Sequence, residues 1–200
     1  MATRTQVQKP PAEAADTAER ILDAAEALVR IRGFNAFSYA DVAAELDITK
    51  ASLHYHFRGK AELGHALIVR YANRFAAALG EIDSGGSPAA SKLAAYADLY
   101  REALRGQRMC LCGMLAAEYQ TLPDPIRKSV LAFLDENEVW LEGVLEQGRS
   151  EGSLRFEGSS RDTARMIISG LEGGMLVARP YEDLRRFDTI SATILASVEP

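Results

Sequence analysis

The side chains between residues 49 and 60 are of the types that contact DNA. Hydroxyl, imidazole, phenol and ammonium groups on one surface can bind phosphate oxygens, which position a protein, and base edges, which specify sequence. This stretch holds three basic residues and no acidic one, whereas the whole chain has a net charge of −5. A basic tip on an acidic body favours DNA contact at one end only. The outward candidates are Lys50, Ser52, His54, Tyr55 and His56.

A short helix is expected just before this surface. Ser38 followed by Asp41 is a capping box, which predicts a helix that begins at Tyr39 with its first N–H groups satisfied. Apolar residues three and four positions apart then give that helix one buried face. These residues are Val42, Ala43 and Leu46.

The contact surface itself is expected on a second helix. Asp47 and Ile48 form the turn, and Thr49 is suited to cap the helix that follows. Leu53 and Phe57 lie four residues apart and therefore share the buried side of that helix. Two short helices joined by a tight turn, with the polar face of the second turned outward, form a helix-turn-helix.

Two further motifs flank this unit. An apolar Ile-Leu-x-Ala-Ala sequence precedes Gly33-Phe34, and a Tyr-x-Phe sequence ends the second helix shortly before a lysine. The residues are Ile21, Leu22, Ala24, Ala25, Tyr55, His56, Phe57 and Lys60. Over about residues 17–68 these features resemble the TetR/AcrR family of transcriptional regulators.

The resemblance implies a DNA-binding regulator, by family habit a repressor, that binds a palindromic operator as a homodimer. One departure is Asp47, where the family often has Gly. Asp tolerates the left-handed backbone conformation better than most residues, so the turn should be kept. The resemblance implies phosphate contacts by Thr49, Tyr55, His56 and Lys60, and places Lys50, Ala51, Ser52 and His54 near base edges.

The rest of the chain predicts helices separated by Gly and Pro, with no convincing β-hairpin. We expect an all-α protein with a flexible arm over residues 1–16 and a three-helix DNA-binding domain over residues 17–62. A six-helix domain for effector binding and dimerisation would occupy residues 63–200. The sixth helix is expected over residues 109–120 and the ninth over residues 182–198.

The eighth and ninth helices each carry an apolar stripe. Such stripes most often pack inside one subunit, but the resemblance implies that these helices pair with the same two of a second subunit. Gly170 and Gly174 would let backbones come close together. We therefore expect a homodimer. The interface candidates are Met166, Ile167, Gly170, Gly174, Val177, Phe187, Ile190 and Ile194.

Residues 109–118 are the best candidate for a regulatory input. They resemble a TetR subgroup whose sixth helix begins with a cysteine, and some of those members respond to electrophiles or oxidants through the thiol. Cys110, Met114 and Glu118 lie four residues apart and share one face, and a helix N-terminus favours a thiolate. A buried cysteine is otherwise an inert hydrophobe. The alternative input is a small apolar or aromatic effector held by Tyr96, Tyr100, Met114, Trp140 and Met166.

Other classes of protein find less support in the sequence. His54 and His56 do not share a helix face, so no metal site is expected, and no cofactor either. An enzyme is disfavoured because the chain has no Walker loop, G-x-S-x-G or H-E-x-x-H motif. An all-helical interaction protein with a relic helix-turn-helix is the other alternative, and it would select no DNA. With two cysteines, no secretory signal and no apolar run near the ~20 residues of a membrane span, a cytoplasmic protein is expected.

Overall fold

The structure, a computed structural model, describes residues 11–200, and within that range it is helical without strands. This confirms the all-α prediction. The α-helices are α1 (Pro11–Arg32), α2 (Tyr39–Leu46), α3 (Lys50–His56), α4 (Lys60–Ser84), α5 (Ala89–Arg105), α6 (Leu111–Ala117), α7 (Asp124–Glu151), α8 (Ser160–Ala178) and α9 (Leu184–Ala196). Two short 3-10 helices follow α6 and α8, at Tyr119–Thr121 and Arg179–Tyr181.

Helices α1 to α3 form a small head with its own apolar core. Ile21, Ala25 and Val29 recur every four residues along α1 and are fully buried. Val42 of α2 and Leu53 of α3 are also fully buried in this core. Because the apolar side of α3 faces inward, its polar side lies on the surface of the molecule.

Helices α4 to α9 form the body, and α4 joins it to the head. Gly64 of α4 lies between Phe34 of the head and Ile126 of α7, and a Cβ atom at Gly64 would lie 2.5 Å from either side chain. The contact between head and body is therefore closely packed. None of the helices in residues 11–200 is long and apolar enough to cross a membrane.

The start of α1 differs from the expected boundary of the N-terminal arm. The helix begins at Pro11, so residues 11–16 are helical, whereas we expected them in a flexible arm. Proline suits the first turn of a helix because its missing N–H would have no partner there. Residues 1–10 of that arm lie outside the described residues.

Helix α6 is shorter than the expected 109–120. Met109 is not helical because its backbone pairs with α1: its N–H donates to the Arg30 carbonyl at 3.2 Å, and its own carbonyl accepts from Arg30 Nε at 2.7 Å. Helix α9 begins at Leu184, two residues after the expected start at residue 182. The Asp183 side chain accepts a hydrogen bond from the Arg185 N–H at 3.1 Å and so caps the helix at that point.

Candidate DNA interface and regulatory site

The first helix of the helix-turn-helix begins as its capping residues predict. The Asp41 carboxylate accepts hydrogen bonds from the Ser38 N–H at 2.7 Å and from the Ser38 hydroxyl at 2.6 Å. These two bonds lower the pKa of Asp41. They fix Ser38 in an extended conformation, and α2 starts at Tyr39.

The turn between α2 and α3 depends on a left-handed residue. Asp47 has φ 52° and ψ 46°, and the N–H of Ile48 bonds back to the Ala43 carbonyl at 3.0 Å. Aspartate thus provides the conformation for which the family often uses glycine, as the sequence predicted.

Helix α3 presents a polar face to solvent. The Thr49 hydroxyl accepts from the Ser52 N–H at 3.1 Å, which confirms its capping role, and Leu53 anchors the inner side. Among the exposed large hydrophobic residues of the described chain, Tyr55 has the largest exposed fraction, 76%. Of the other predicted DNA contacts on this helix, four are exposed, namely Thr49, Lys50, Ala51 and His54. The remaining two, Ser52 and His56, are half-buried.

Lys60 has a packing role that the sequence did not suggest. Its ammonium group donates to the Phe37 carbonyl at 2.5 Å and lies over the rings of Phe34 and Phe37, 4.7 and 4.4 Å from their centres. Burial lowers the pKa of Lys60. Lys60 therefore ties the start of α4 to the loop between α1 and α2, which leaves fewer of its three N–H donors for a phosphate.

The segment that follows α6 is bonded directly to the head. The Glu118 carboxylate accepts from the Phe34 N–H at 2.5 Å and from the Asn35 N–H at 3.2 Å. The Asn35 amide in turn donates to the Thr121 hydroxyl at 2.7 Å. The helical spacing predicts that Glu118 shares a face with Cys110 at the regulatory segment; in the structure the free N–H groups after α1 draw the Glu118 carboxylate to the head.

Cys110 is buried at the N-terminus of α6. The Tyr71 hydroxyl lies 3.4 Å from its sulfur, and Cys112 and Glu172 are its other polar neighbours. Burial alone would raise the pKa of this thiol, but these neighbours and the Gly113 N–H outweigh burial and lower it from 9.0 to about 6. Burial raises the pKa of Cys112 instead. Of the two cysteines, Cys110 is the one whose thiolate form is favoured.

Glu172 of α8 is a polar group that the sequence analysis missed. Both of its carboxylate oxygens are buried, and the Cys110 sulfur is the polar neighbour that affects them. Burial, and then the adjacent Cys110, raise the pKa of Glu172 well above its usual value. The spacing in the sequence could have indicated this position, because Glu172 lies four residues after Ile168 and therefore on the side of α8 that is otherwise apolar.

A cavity of about 390 Å³ opens among α6, α7 and α8, and Glu172 is one of its lining residues. Most of its wall is apolar, and Glu138 and Arg165, which are ion-paired at 2.8 Å, add charge. Among its lining residues are Met109, Gly113, Met114, Leu134, Ile168 and Glu172. Met114 is thus the one predicted effector contact found here.

The remaining predicted effector residues do not come together around this cavity. Tyr96 and Tyr100 are fully buried, their hydroxyls 2.9 Å apart, and Tyr96 donates to Asn137 at 3.2 Å. Trp140 stacks on Tyr96 and borders a separate cavity of about 320 Å³ between α4 and α7. The assignment of Met166 as an effector contact is corrected, because its side chain lies on the outer face of α8 with 41% of its surface exposed.

Several predicted dimer residues pack inside the subunit, which corrects their assignment. Ile167 and Phe187 are fully buried. A Cβ atom at Gly170 would lie 2.6 Å from Ile194, and one at Gly174 would lie 3.1 Å from Ile190. These glycines therefore bring α8 close to α9 of the same subunit. The apolar side chains exposed at the end of this region are Met166, Leu176, Val177 and Tyr181.

In residues 11–200 no three His, Cys, Asp or Glu side chains are grouped so as to hold a metal ion.

The capped turn and the open polar face of α3 place the chain in the helix-turn-helix class of DNA-binding proteins. Residues 21–67 match the family of bacterial regulatory proteins, tetR family, and residues 89–194 match the tetracyclin repressor-like C-terminal domain. The chain belongs to the TetR family of transcriptional regulators.

Solved structures of relatives have the same fold over nearly the whole chain. A TetR-family transcriptional regulator from Agrobacterium tumefaciens is 30% identical with a TM-score of 0.90, covering 94% of this chain and 100% of that one. A TetR transcriptional regulator from Legionella pneumophila is 33% identical with a TM-score of 0.81, covering 98% and 100%. The transcriptional regulator AcuR from Cereibacter sphaeroides is 26% identical over 152 residues, 74% of this chain and 69% of its own.

Proposed function

We propose that the protein is a repressor that binds a palindromic operator as a homodimer and leaves it when a small molecule, or modification of Cys110, acts on the body. The observation that carries this proposal is the outward face of α3, where Lys50, His54 and Tyr55 are all exposed beside a capped turn. On this basis the head comprises residues 17–62, and residues 63–200 receive the signal and dimerise. A cytoplasmic location fits this role.

The DNA contacts divide by position on α3. Thr49 and Tyr55, with His56 and Lys60, are proposed to contact phosphates. Lys50, Ala51, Ser52 and His54 are proposed to lie near base edges in the major groove. Lys60 contributes through the donors that its bond to the Phe37 carbonyl leaves free.

The homodimer is proposed to form through the exposed outer face of α8. Met166, Leu176 and Val177 are large apolar side chains left in solvent there, and Gly173 has no atom from elsewhere within 4 Å of where its Cβ would lie. An apolar face of this kind is stabilised by contact with an identical one related by two-fold symmetry. Two recognition helices about 34 Å apart would then read two half-sites.

The route of the signal is proposed to run from α6 straight to the head. Glu118 and Met109 lie at the two ends of the α6 segment, and both are hydrogen-bonded to the end of α1 or to the loop after it. A change at Cys110, which caps α6, would act on these bonds without first bending α4. A difference of a few kcal/mol between the two arrangements is enough to release DNA.

The test of DNA contact is the affinity for duplex DNA at one fixed salt concentration, measured by fluorescence anisotropy. The Tyr55→Ala variant should bind all sequences about tenfold more weakly, because one phosphate contact is removed from each subunit. Tyr181→Ala is the matched control, since Tyr181 is also exposed but lies far along the chain on the 3-10 helix after α8. Equal affinity of the two variants would contradict the proposed interface.

A further inference from the structure

The cavity among α6, α7 and α8 has a buried carboxyl group in its wall. Glu172 lines this cavity, both of its carboxylate oxygens are buried, and no Lys or Arg of residues 11–200 bonds to either of them. A buried carboxylate is strongly destabilised relative to water unless a positive charge lies beside it. The wall at Glu172 therefore favours an occupant that brings a positive charge.

The sequence of α6 determines where this carboxyl group lies. Gly113 lines the same cavity, and a Cβ atom at Gly113 would overlap the Glu172 carboxylate. The carboxylate thus lies against the Gly113 backbone, where the α6 and α8 walls of the cavity meet. Glycine at position 113 leaves the carboxylate this space, whereas any larger residue would displace it.

The other charges near the cavity already have partners. Arg165 of the wall lies 2.8 Å from Glu138 and 3.3 Å from Asp162, so its guanidinium group has two carboxylate partners. Arg179 lies nearby, after the end of α8, and its guanidinium group donates to a backbone carbonyl of α1. Among the described charged groups that line the cavity, Glu172 is thus the one that lacks an opposite charge.

The rest of the wall is apolar and limits the size of an occupant. Met114, Leu134 and Ile168 supply apolar surface around a volume of about 390 Å³. This volume lies in the range of small-molecule pockets, and the apolar surface stabilises a buried hydrocarbon group. A suitable occupant therefore has one apolar end and one end that pairs with Glu172.

We propose that this cavity binds a small primary amine in its ammonium form, with Glu172 as the counter-ion and the apolar wall around a short aliphatic or aromatic body. The ammonium group has N–H donors and no acceptor, and the carboxylate has acceptors alone, so the two are complementary. The inference rests on the proposed function, because the cavity is taken as the place where a small molecule acts on the body. It adds the chemical class of that molecule and the residue that selects it.

Binding of the ammonium group should expel a proton from Glu172. In the empty site burial, and then the Cys110 sulfur, raise the pKa of Glu172 well above its usual value, which favours the protonated carboxyl group. A cation beside the carboxyl group lowers this pKa, so the proton leaves to solvent while the amine keeps its own. Binding should therefore release up to about one proton per site and become tighter as the pH rises through neutrality.

The groups that face Glu172 from neighbouring helices do not account for such a proton. Cys110 and Cys112 interact with it from the α6 segment, and Tyr96 and Tyr100 from α5. Burial raises the pKa of Cys112 and of both tyrosines, so these three groups keep their protons. The lowered pKa of Cys110, about 6, leaves little of its thiol form at neutral pH. The expelled proton is therefore assigned to Glu172.

The experiment compares three probes of similar shape by isothermal titration calorimetry of the full-length protein. Benzylamine carries an ammonium group, benzyl alcohol a neutral hydroxyl group and phenylacetate a carboxylate. The wild type should bind benzylamine about tenfold or more tighter than the other two, because the amine forms a charge-assisted hydrogen bond with Glu172. Equal or tighter binding of the alcohol or the carboxylate, or no measurable binding of the amine, would overturn the proposal.

Glu172→Gln keeps the shape of the side chain and removes its charge. This variant should bind benzylamine about tenfold or more weakly than the wild type, and benzyl alcohol within about twofold of it. It should also release no proton, which is measured by repeating the titration in phosphate and in Tris, two buffers with different enthalpies of ionisation. Unchanged affinity for benzylamine, or unchanged proton release, would contradict the role of Glu172.

Two more variants separate this role from a general effect on the cavity. Glu138→Gln removes another carboxylate of the wall and should keep the affinity for benzylamine within about threefold, because Arg165 retains Asp162 as a partner. Gly113→Ala should displace the Glu172 carboxylate, since the obstructing atoms are the end of a flexible side chain, and reproduce the selective loss of amine binding. A loss with Glu138→Gln equal to that with Glu172→Gln would count against the proposed counter-ion.

Release of operator DNA by benzylamine is measured separately, by fluorescence anisotropy. Amine binding that depends on Glu172 but leaves DNA bound would refute the regulatory part of the proposed function and leave the amine site standing. Operator binding by the wild type with no amine binding in calorimetry would refute the amine site alone.

Discussion

Removing the Glu118 side chain should uncouple the head from α6. The carboxylate accepts hydrogen bonds from the Phe34 N–H at 2.5 Å and from the Asn35 N–H at 3.2 Å. Hydrogen bonds to charged groups contribute about 1.5–3 kcal/mol, and an unpaired N–H costs about 1–3 kcal/mol when buried. Because Asn35 is exposed, we count mainly the bond to Phe34, and we expect Glu118→Ala to lower the free energy of unfolding by about 2 kcal/mol. For a chain of this size that corresponds to a fall in Tm of about 4–8 °C.

The functional consequence is measured by anisotropy on an operator duplex before and after alkylation of Cys110. Unmodified Glu118→Ala should bind the operator within about threefold of the wild type, because α3 and its caps are unchanged, but alkylation should no longer release it. Glu118→Gln is the control, since its amide oxygen still accepts a hydrogen bond and should keep most of the stability and the response. Full release of the alkylated Glu118→Ala protein would refute the direct route from α6 to the head.

Three further predictions concern the thiol, the dimer and the head. The alkylation rate of Cys110 should rise with pH through a midpoint of about 6 and level off above it, because the thiolate is the reactive form; a midpoint near 9 would contradict the lowered pKa. Val177→Asp should give a monomer by light scattering at concentrations where Val69→Asp, a charge placed on exposed α4, stays dimeric. Gly33→Ala should lower the Tm by several degrees, since φ is 93° and the Cβ would lie 2.9 Å from a Glu118 oxygen; Gly59→Ala, with φ −169° and open space, should not.

The helix-turn-helix was predictable from sequence because its determinants are local. Ser38 and Asp41, and likewise Thr49 and Ser52, interact three residues apart, so spacing alone identifies each cap. The left-handed conformation of Asp47 also follows from its residue type and its position between two helices. Caps, turn and helix starts could therefore all be read in this part of the chain.

The regulatory region was predicted less well because its contacts are distant in sequence. Helical spacing shows that Glu118 and Met114 share a face with Cys110, but not which element that face meets. Glu118 instead bonds to residues more than 80 positions earlier. Similarly, the spacing of Gly170 fits packing within a subunit as well as between subunits, and the position of Ile194 places Gly170 against α9 of the same subunit.

The central claim is that α3 of a dimer reads a palindromic operator, and selection from random duplex DNA under reducing conditions tests it most directly. The wild type should enrich a palindrome whose half-sites are about one helical turn, or 10 base pairs, apart or slightly more. Tyr55→Ala, which loses a phosphate contact but keeps the residues near base edges, should enrich the same palindrome less strongly under the same conditions. A folded, dimeric wild type that enriches no sequence, or a single unrepeated site, would contradict the account.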